Sequence, residues 1–141
     1  MTAKYLLDSD ICILALSGKY AGSLMNLIRD IQPEGLALSV IVYGEVLEGA
    51  LYSRQRALNV QRWQEFAEGC DILSVTLPIA EVWADIRGRL RGEGRTTPDN
   101  DLLIAATALT FDMTLVTGND RHHGRVEGLK MLVPERQSTS S

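Results

Sequence analysis

Near the amino end, the apolar run Tyr5-Leu6-Leu7 stops abruptly at Asp8-Ser9-Asp10, two carboxylates separated by one small residue. A short apolar run ahead of a helical pattern reads as a strand buried on both faces, because a parallel strand covered by helices loses the polar alternation of a half-exposed one. The acids then stand at its carboxyl end, which in open α/β sheets is where ligands bind. An acidic pair there points to a cation site, since hard cations take oxygen ligands.

With 141 residues, 45% of them hydrophobic and 23% charged, the chain suits one domain with a sizeable core and leaves no room for a second. That domain is expected over residues 1–136, with 137–141 a polar, disordered tail. The net charge of −4 argues against a polyanion binder that works through a basic surface. Any nucleic-acid contact then rests on a local basic patch or on bound cations. Cys12 and Cys70 have no Cys or His neighbour that would complete a zinc set, so both read as reduced thiols. The start carries no positive region followed by an apolar core, and no apolar run approaches the ~20 residues that span a bilayer. The reading is a soluble, cytoplasmic protein with no membrane partner.

Hydrophobic spacing sets out strands alternating with helices. A helix over Ile11 to Ser17 and another from Tyr20 to Gln32 precede a short strand, Leu36-Ala37-Leu38. Ser39 is placed to cap a helix through about Leu51. That helix carries Glu45, with Ile41 and Val42 one turn before it and Gly49 one turn after, so the acid lies beside an apolar stripe and a gap in side-chain bulk. Gln55 to Glu68 is a polar helix with Leu58, Trp63 and Phe66 as its buried or interface positions; Ile72 to Val75 is a third strand, and Leu77-Pro78 opens a helix to about Gly92. In Thr96-Thr97-Pro98-Asp99, Thr97 can cap, Pro98 suits the first turn and Asp99 complements the dipole. Asp101 leads the apolar Leu102-Leu103-Ile104-Ala105-Ala106, where an acid costs desolvation unless a cation meets it. Thr114 to Thr117 is a fourth strand, followed at once by Gly118-Asn119-Asp120, and Leu129 to Val133 a fifth, at the edge.

Such alternation implies a parallel sheet whose strand ends come together along one edge, where Asp8, Glu45, Asp101 and Asn119 or Asp120 can converge. Mg²⁺ or Mn²⁺ would make that crowding tolerable, lower the pKa of a bound water and offset charge on a phosphate. Among the basic residues Arg87, Arg89, Arg91 and Arg95 form the densest cluster, for which a solvated helix face is the simplest account. Arg87, Arg91, Arg121 and Arg125 are the candidates for phosphate contact. His122 and His123 make a poor zinc pair and read as surface or RNA-contacting residues. Ser9 and Ser39 lack a base at a suggestive spacing, which leaves capping and supporting roles.

The stretches LLDSDICIL, SVIVYGEVLEGA, PDNDLLIAATAL and TLVTGNDRHHGRVEGLKM together resemble the PIN-domain ribonucleases, in particular the VapC toxins of bacterial toxin–antitoxin pairs. The likeness covers nearly the whole chain. Matched by motif, Asp8 is the first family acid, Glu45 the second and Asp101 the third; the fourth place falls on Asn119, with Asp120 adjacent and able to substitute. Two departures stand out: Val42 replaces a hydroxyl residue often found three places before the helix acid, and His123 replaces an aromatic that often follows the last motif.

The resemblance implies a three-layer α/β/α domain with a four- to five-stranded parallel sheet. It implies a Mg²⁺- or Mn²⁺-dependent endoribonuclease in which Asp8, Glu45 and Asp101 hold the ion and water attacks a phosphodiester in line, leaving 5′-phosphate and 3′-hydroxyl ends. Asp10 and Asp120 would be outer ligands or water-positioning groups, and a neutral Asn119 would hold a second ion only weakly. It further implies a homodimer and a VapB-like antitoxin partner that inserts a segment into the acidic groove. Two other functions fit an apolar strand ending in Asp-x-Asp: a phosphatase of the haloacid-dehalogenase kind with Asp8 as nucleophile, and a non-catalytic RNA-binding domain.

Overall fold

The computed structural model describes residues 3–17 and 22–134. Strand β1 (Tyr5–Leu7) leads into helix α1 (Ser9–Ser17); α2 (Ser23–Ile31) and a 3₁₀ turn over Gln32–Glu34 precede β2 (Leu36–Ser39). Helices α3 (Val40–Leu51) and α4 (Arg56–Glu68) follow, then β3 (Asp71–Leu73), α5 (Leu77–Gly92), α6 (Asp99–Thr110), β4 (Thr114–Val116), the short α7 (Asp120–His123) and β5 (Met131–Leu132). The five strands form one sheet in the order β3-β2-β1-β4-β5, and every neighbouring pair is parallel. Helices flank it, giving the expected three-layer α/β/α arrangement.

The apolar runs become central strands because both faces are covered. Leu6, Leu7, Ala37, Leu38, Leu115 and Val116 are all fully buried. They pack in one core with Ile11, Leu24, Ile28, Val42, Val46 and Trp63 from the helices. A second core joins α5 to α6 through Ile79, Ile86, Leu90, Leu102, Ala105 and Ala106, with Val126 against them. Trp63 locks α4 onto α3: its ring is fully buried, stacks on Phe66 at 5.8 Å, and its Nε1–H donates to the Tyr43 carbonyl at 3.1 Å. Leu58 on the same helix is instead 41% exposed.

Chain order and sheet order together place the site. From β1 the chain moves outward to β2 and β3, then returns to the other side of β1 as β4. The carboxyl ends of β1 and β4 therefore border the point where strand order reverses, the place where an open α/β sheet leaves a crevice. Leu7 is paired with Val116, so Asp8 and Thr117, the next residues on each strand, emerge side by side.

Some boundaries differ from the expected ones. Helix α1 begins two residues early, at Ser9, because the Asp8 carbonyl accepts from the Cys12 amide. Helix α2 begins at Ser23, and its expected first residue, Tyr20, lies outside the described residues, as does the 137–141 tail. Ser39 caps α3 as expected, its hydroxyl accepting from the Ile41 amide at 3.1 Å. Thr97 does not cap α6: Pro98 occupies the cap position, its carbonyl accepts from Leu102, and the Thr97 hydroxyl is buried without a partner among the described residues. Cys12 and Cys70 are both free.

Candidate active site at the carboxyl ends of β1 and β4

Asp8 is 3% exposed and is fixed by three donors. The Ser9 amide donates to Oδ1 at 2.8 Å, while the Thr117 hydroxyl at 2.8 Å and His123 Nε2 at 3.0 Å both reach Oδ2. Burial pushes the Asp8 carboxyl up, but the bonds from His123 and Thr117 outweigh it and hold the group below the ordinary carboxylate value. It is an anion aimed in one direction, with a free lone pair on Oδ1.

Asp10 sits in the first turn of α1 and ties it to the end of β4. Its Oδ1 accepts from the Ile11 amide at 2.8 Å and its Oδ2 from the Gly118 amide at 2.9 Å. A Cβ at position 118 would stand 2.8 Å from that Oδ2, so any larger residue there would push the Asp10 carboxylate aside. Burial and the neighbouring charge of Asp8 raise the Asp10 carboxyl above its usual value.

Glu45 reaches the same region from α3. Val42 and Val46 beside it are buried as the apolar stripe requires, but Glu45 itself is exposed and Gly49 opens to solvent, so the acid is not embedded among apolar side chains. Burial first, then the negative charges of Asp8, Asp101 and Glu48, raise its carboxyl, while a hydrogen bond with Asn100 works the other way. That dependence shows Glu45, Asp8 and Asp101 sharing one electrostatic neighbourhood. Asp101, half-buried in the first turn of α6, lies 3.0 Å from His122 Nδ1, and the same nitrogen lies 3.0 Å from Asn119 Nδ2. It donates to Asp101 as Nδ1–H or accepts from Asn119 in the other tautomer. The Asn119 amide in turn donates to the Thr117 hydroxyl at 2.9 Å.

The structure thus brings together Asp8, Asp10, Glu45, Asp101 and Asn119, whereas Asp120 is exposed at the start of α7. The reading of His123 as a surface residue is overturned: it is fully buried, bonds Asp8, and its Nδ1 has no partner among the described residues. His122 is partly exposed and faces Asp101 rather than solvent alone. Thr117, Gly118 and Asn100 were also missed. For Thr117 the signal is the strand register, which sets the residue after β4 next to the residue after β1.

Of the candidate phosphate contacts, Arg87 is engaged by Asp99 at 2.9 Å and lies over the Trp83 ring, 5.5 Å from its centre. Arg125 donates to the Thr96 carbonyl at 3.0 Å, and Arg91 and Arg121 are exposed. The phosphatase alternative needs a lysine near Asp8. Lys4 and Lys130 pair with Glu34 and Asp112, and Lys19 lies outside the described residues.

The donors are hard oxygens, and no lysine or arginine pairs with Asp8, Asp10, Glu45 or Asp101 among the described residues. Charge crowding of this kind fits a divalent cation of the Mg²⁺ type. Among the described residues no three His, Cys, Asp or Glu side chains stand close enough together, as they lie, to hold a metal ion.

Comparison with known proteins agrees with this geometry. The PIN domain family matches residues 5–129. Ribonuclease VapC2 of Rickettsia felis is 29% identical over 126 residues, covering 89% of this chain and 93% of the relative. Ribonuclease VapC19 of Mycobacterium tuberculosis is 32% identical over 117 residues, covering 83% and 90%. A tRNA(fMet)-specific endonuclease VapC of Shigella flexneri is 28% identical, covering 90% and 95%. Among solved structures, VapBC2 of Rickettsia felis bound to a promoter DNA fragment superposes with a TM-score of 0.86 at 26% identity, covering 93% of this chain and 98% of that one. The crevice where strand order reverses, its gathered acids and a match from the first strand to the residues before the last show that the chain belongs to the PIN-domain family.

Proposed function

We propose that this chain is a VapC-type endoribonuclease that cleaves RNA phosphodiester bonds with Mg²⁺ or Mn²⁺ and serves as the toxin of a toxin–antitoxin pair. The observation that carries the reading is the Asp8 carboxylate, fixed by three donors at the carboxyl end of β1 where strand order reverses, with Asp10 tied across to the end of β4. The names of the relatives, ribonucleases and endonucleases called VapC, point the same way.

Asp8, Glu45 and Asp101 are the residues that would hold the ion, with Asn119 and the exposed Asp120 at the margin. A bound divalent ion supplies a water of lowered pKa and offsets the charge that grows on the phosphate. The chain's own groups set up that chemistry. Ser9, Thr117 and His123 fix the Asp8 carboxylate, so one of its lone pairs is presented without rotamer search. Asp10 ties α1 to the end of β4 through the Gly118 amide. Glu45, exposed on α3, is hydrogen-bonded to Asn100 at the start of α6. His122 as the Nδ1–H tautomer donates to Asp101 and orients it, and Asn119 brings a neutral side chain to the same corner without adding charge.

A VapB-like antitoxin is the proposed partner, since solved neighbours are VapBC complexes. The exposed apolar Ile72, Val75 and Leu77 on and after the edge strand β3 favour a homodimer. The test is to induce the protein, map the ends of cellular RNA, and repeat with Asp101→Asn. New 5′-phosphate ends that vanish in the folded variant are expected. Cleavage that persists in Asp101→Asn would remove the acid cluster from the chemistry.

A further inference from the structure

The acidic crevice repels the very polymer it is proposed to cut, so some cationic surface must hold the strand beside it. Next to the crevice, on the far side of the turn that begins α6, lies a cleft of about 270 Å³ whose walls include Arg87, Arg91, Arg95, Thr97 and Asp99. One turn serves both places: Asp99 lines the cleft, while Asn100 and Asp101 face the site. Arg87 is already neutralised by Asp99. Arg91 and Arg95 are exposed and make no ion pair among the described residues, although the chain as a whole is acidic. The hydroxyl of Thr97, which lines the same cleft, is buried with no hydrogen-bond partner among the described residues, a group that a bound acceptor oxygen would satisfy. Arg125 braces the loop from below by donating to the Thr96 carbonyl.

We infer that the cleft formed by Arg91, Arg95 and Thr97 is a phosphate site that holds the RNA backbone next to the bond to be cut. The inference rests on the endoribonuclease reading. Guanidinium groups match phosphate oxygens through paired N–H donors, whereas the free hydroxyl supplies one short-range contact. Contacts to phosphate oxygens fix affinity and register more than sequence choice.

The test uses the full chain carrying Asp8→Asn, so that RNA is bound without being cut, and a fluorescent single-stranded RNA. Anisotropy titrations over a salt series compare it with the same protein bearing Arg91→Gln and Arg95→Gln. Arg54→Gln with Arg62→Gln, exposed positions elsewhere, makes the same change in net charge. The cleft pair is expected to weaken binding about 10-fold near 0.1 M salt and to lower the slope of log affinity against log salt by about 1.4, about 0.7 for each lost phosphate contact. Lysines at both positions should restore most of the slope. Equal weakening by the cleft and control pairs, or no RNA binding by any variant, would overturn the proposal. Binding that depends on the cleft in a chain whose unmutated form never cleaves RNA would sink the nuclease reading and leave the phosphate site standing.

Discussion

At Asp8, a buried carboxylate takes hydrogen bonds from an amide, a hydroxyl and an imidazole, and the imidazole is the unusual member. His123 Nε2 donates from a fully buried ring whose Nδ1 finds nothing, so the contact with Asp8 is bought at the cost of one orphaned nitrogen. His123→Phe keeps a ring of similar shape and removes both. A hydrogen bond to a charged group contributes about 1.5–3 kcal/mol, and relief of the buried nitrogen offsets part of that, so a net loss of about 1 kcal/mol is expected. The pH dependence is more telling. The folded Asp8 carboxyl lies below its unfolded value, so its contribution to stability is complete above the ordinary value of ~3.9 and drains away as pH falls through the folded one. Without His123 the folded value rises toward the unfolded one, so the gap that links folding to this proton narrows and the variant must lose less stability on acidification, with a shallower acid limb. Thermal unfolding followed from about pH 7 to about pH 3 reads this directly; identical acid limbs in both proteins would mean that the imidazole does not hold the carboxylate.

Among the elements, α3 and α4 divide the labour: α3 delivers Glu45 to the crevice, and α4 keeps α3 in place through Trp63. Trp63→Phe removes the bond to the Tyr43 carbonyl and leaves a small void, with an expected loss of about 1–3 kcal/mol. Because α4 supplies no group to the site, RNA cleavage by the folded variant should match the unmutated chain, and denaturant titration with a cleavage assay separates the two effects. A large activity loss at full folding would place α4 in the mechanism. The same division explains what the sequence discloses. Elements with a strong local signature were readable: the apolar run ending in Asp8, the Ser39 cap, and Leu77-Pro78 opening a long helix. Thr97 looked like a cap because local chemistry permits it, yet packing of the α5–α6 turn buried its hydroxyl away from the amides. His123 and Thr117 were opaque because their roles come from a contact more than a hundred residues away in the chain, which only the β1–β4 pairing creates.

Taken as a whole, the molecule gathers like charges at one edge of its sheet, and this should show in its stability. Burial and neighbouring anions raise the carboxyls of Asp10 and Glu45, so the folded state disfavours their charged forms near neutral pH. For such groups the sign is opposite to that of Asp8: the penalty is present above the folded value and is relieved as pH falls through it. Glu45→Gln removes one of these charges. Glu45 is largely exposed and screened by solvent, so the metal-free variant should gain only a few tenths of a kcal/mol, about 1 °C in Tm. The gain should shrink at a pH low enough to protonate Glu45 in the unmutated protein. Added Mn²⁺ should reverse the ranking. An ion that binds the folded chain alone adds about 2.7 kcal/mol at a hundred times its dissociation constant, and that gain depends on the carboxylate the variant lacks. The expected result is a pair of crossing curves: Glu45→Gln melts slightly higher in chelator and clearly lower in excess Mn²⁺. Parallel curves, with Mn²⁺ raising both proteins equally, would show that the ion does not use Glu45 and that the acid remains for another purpose.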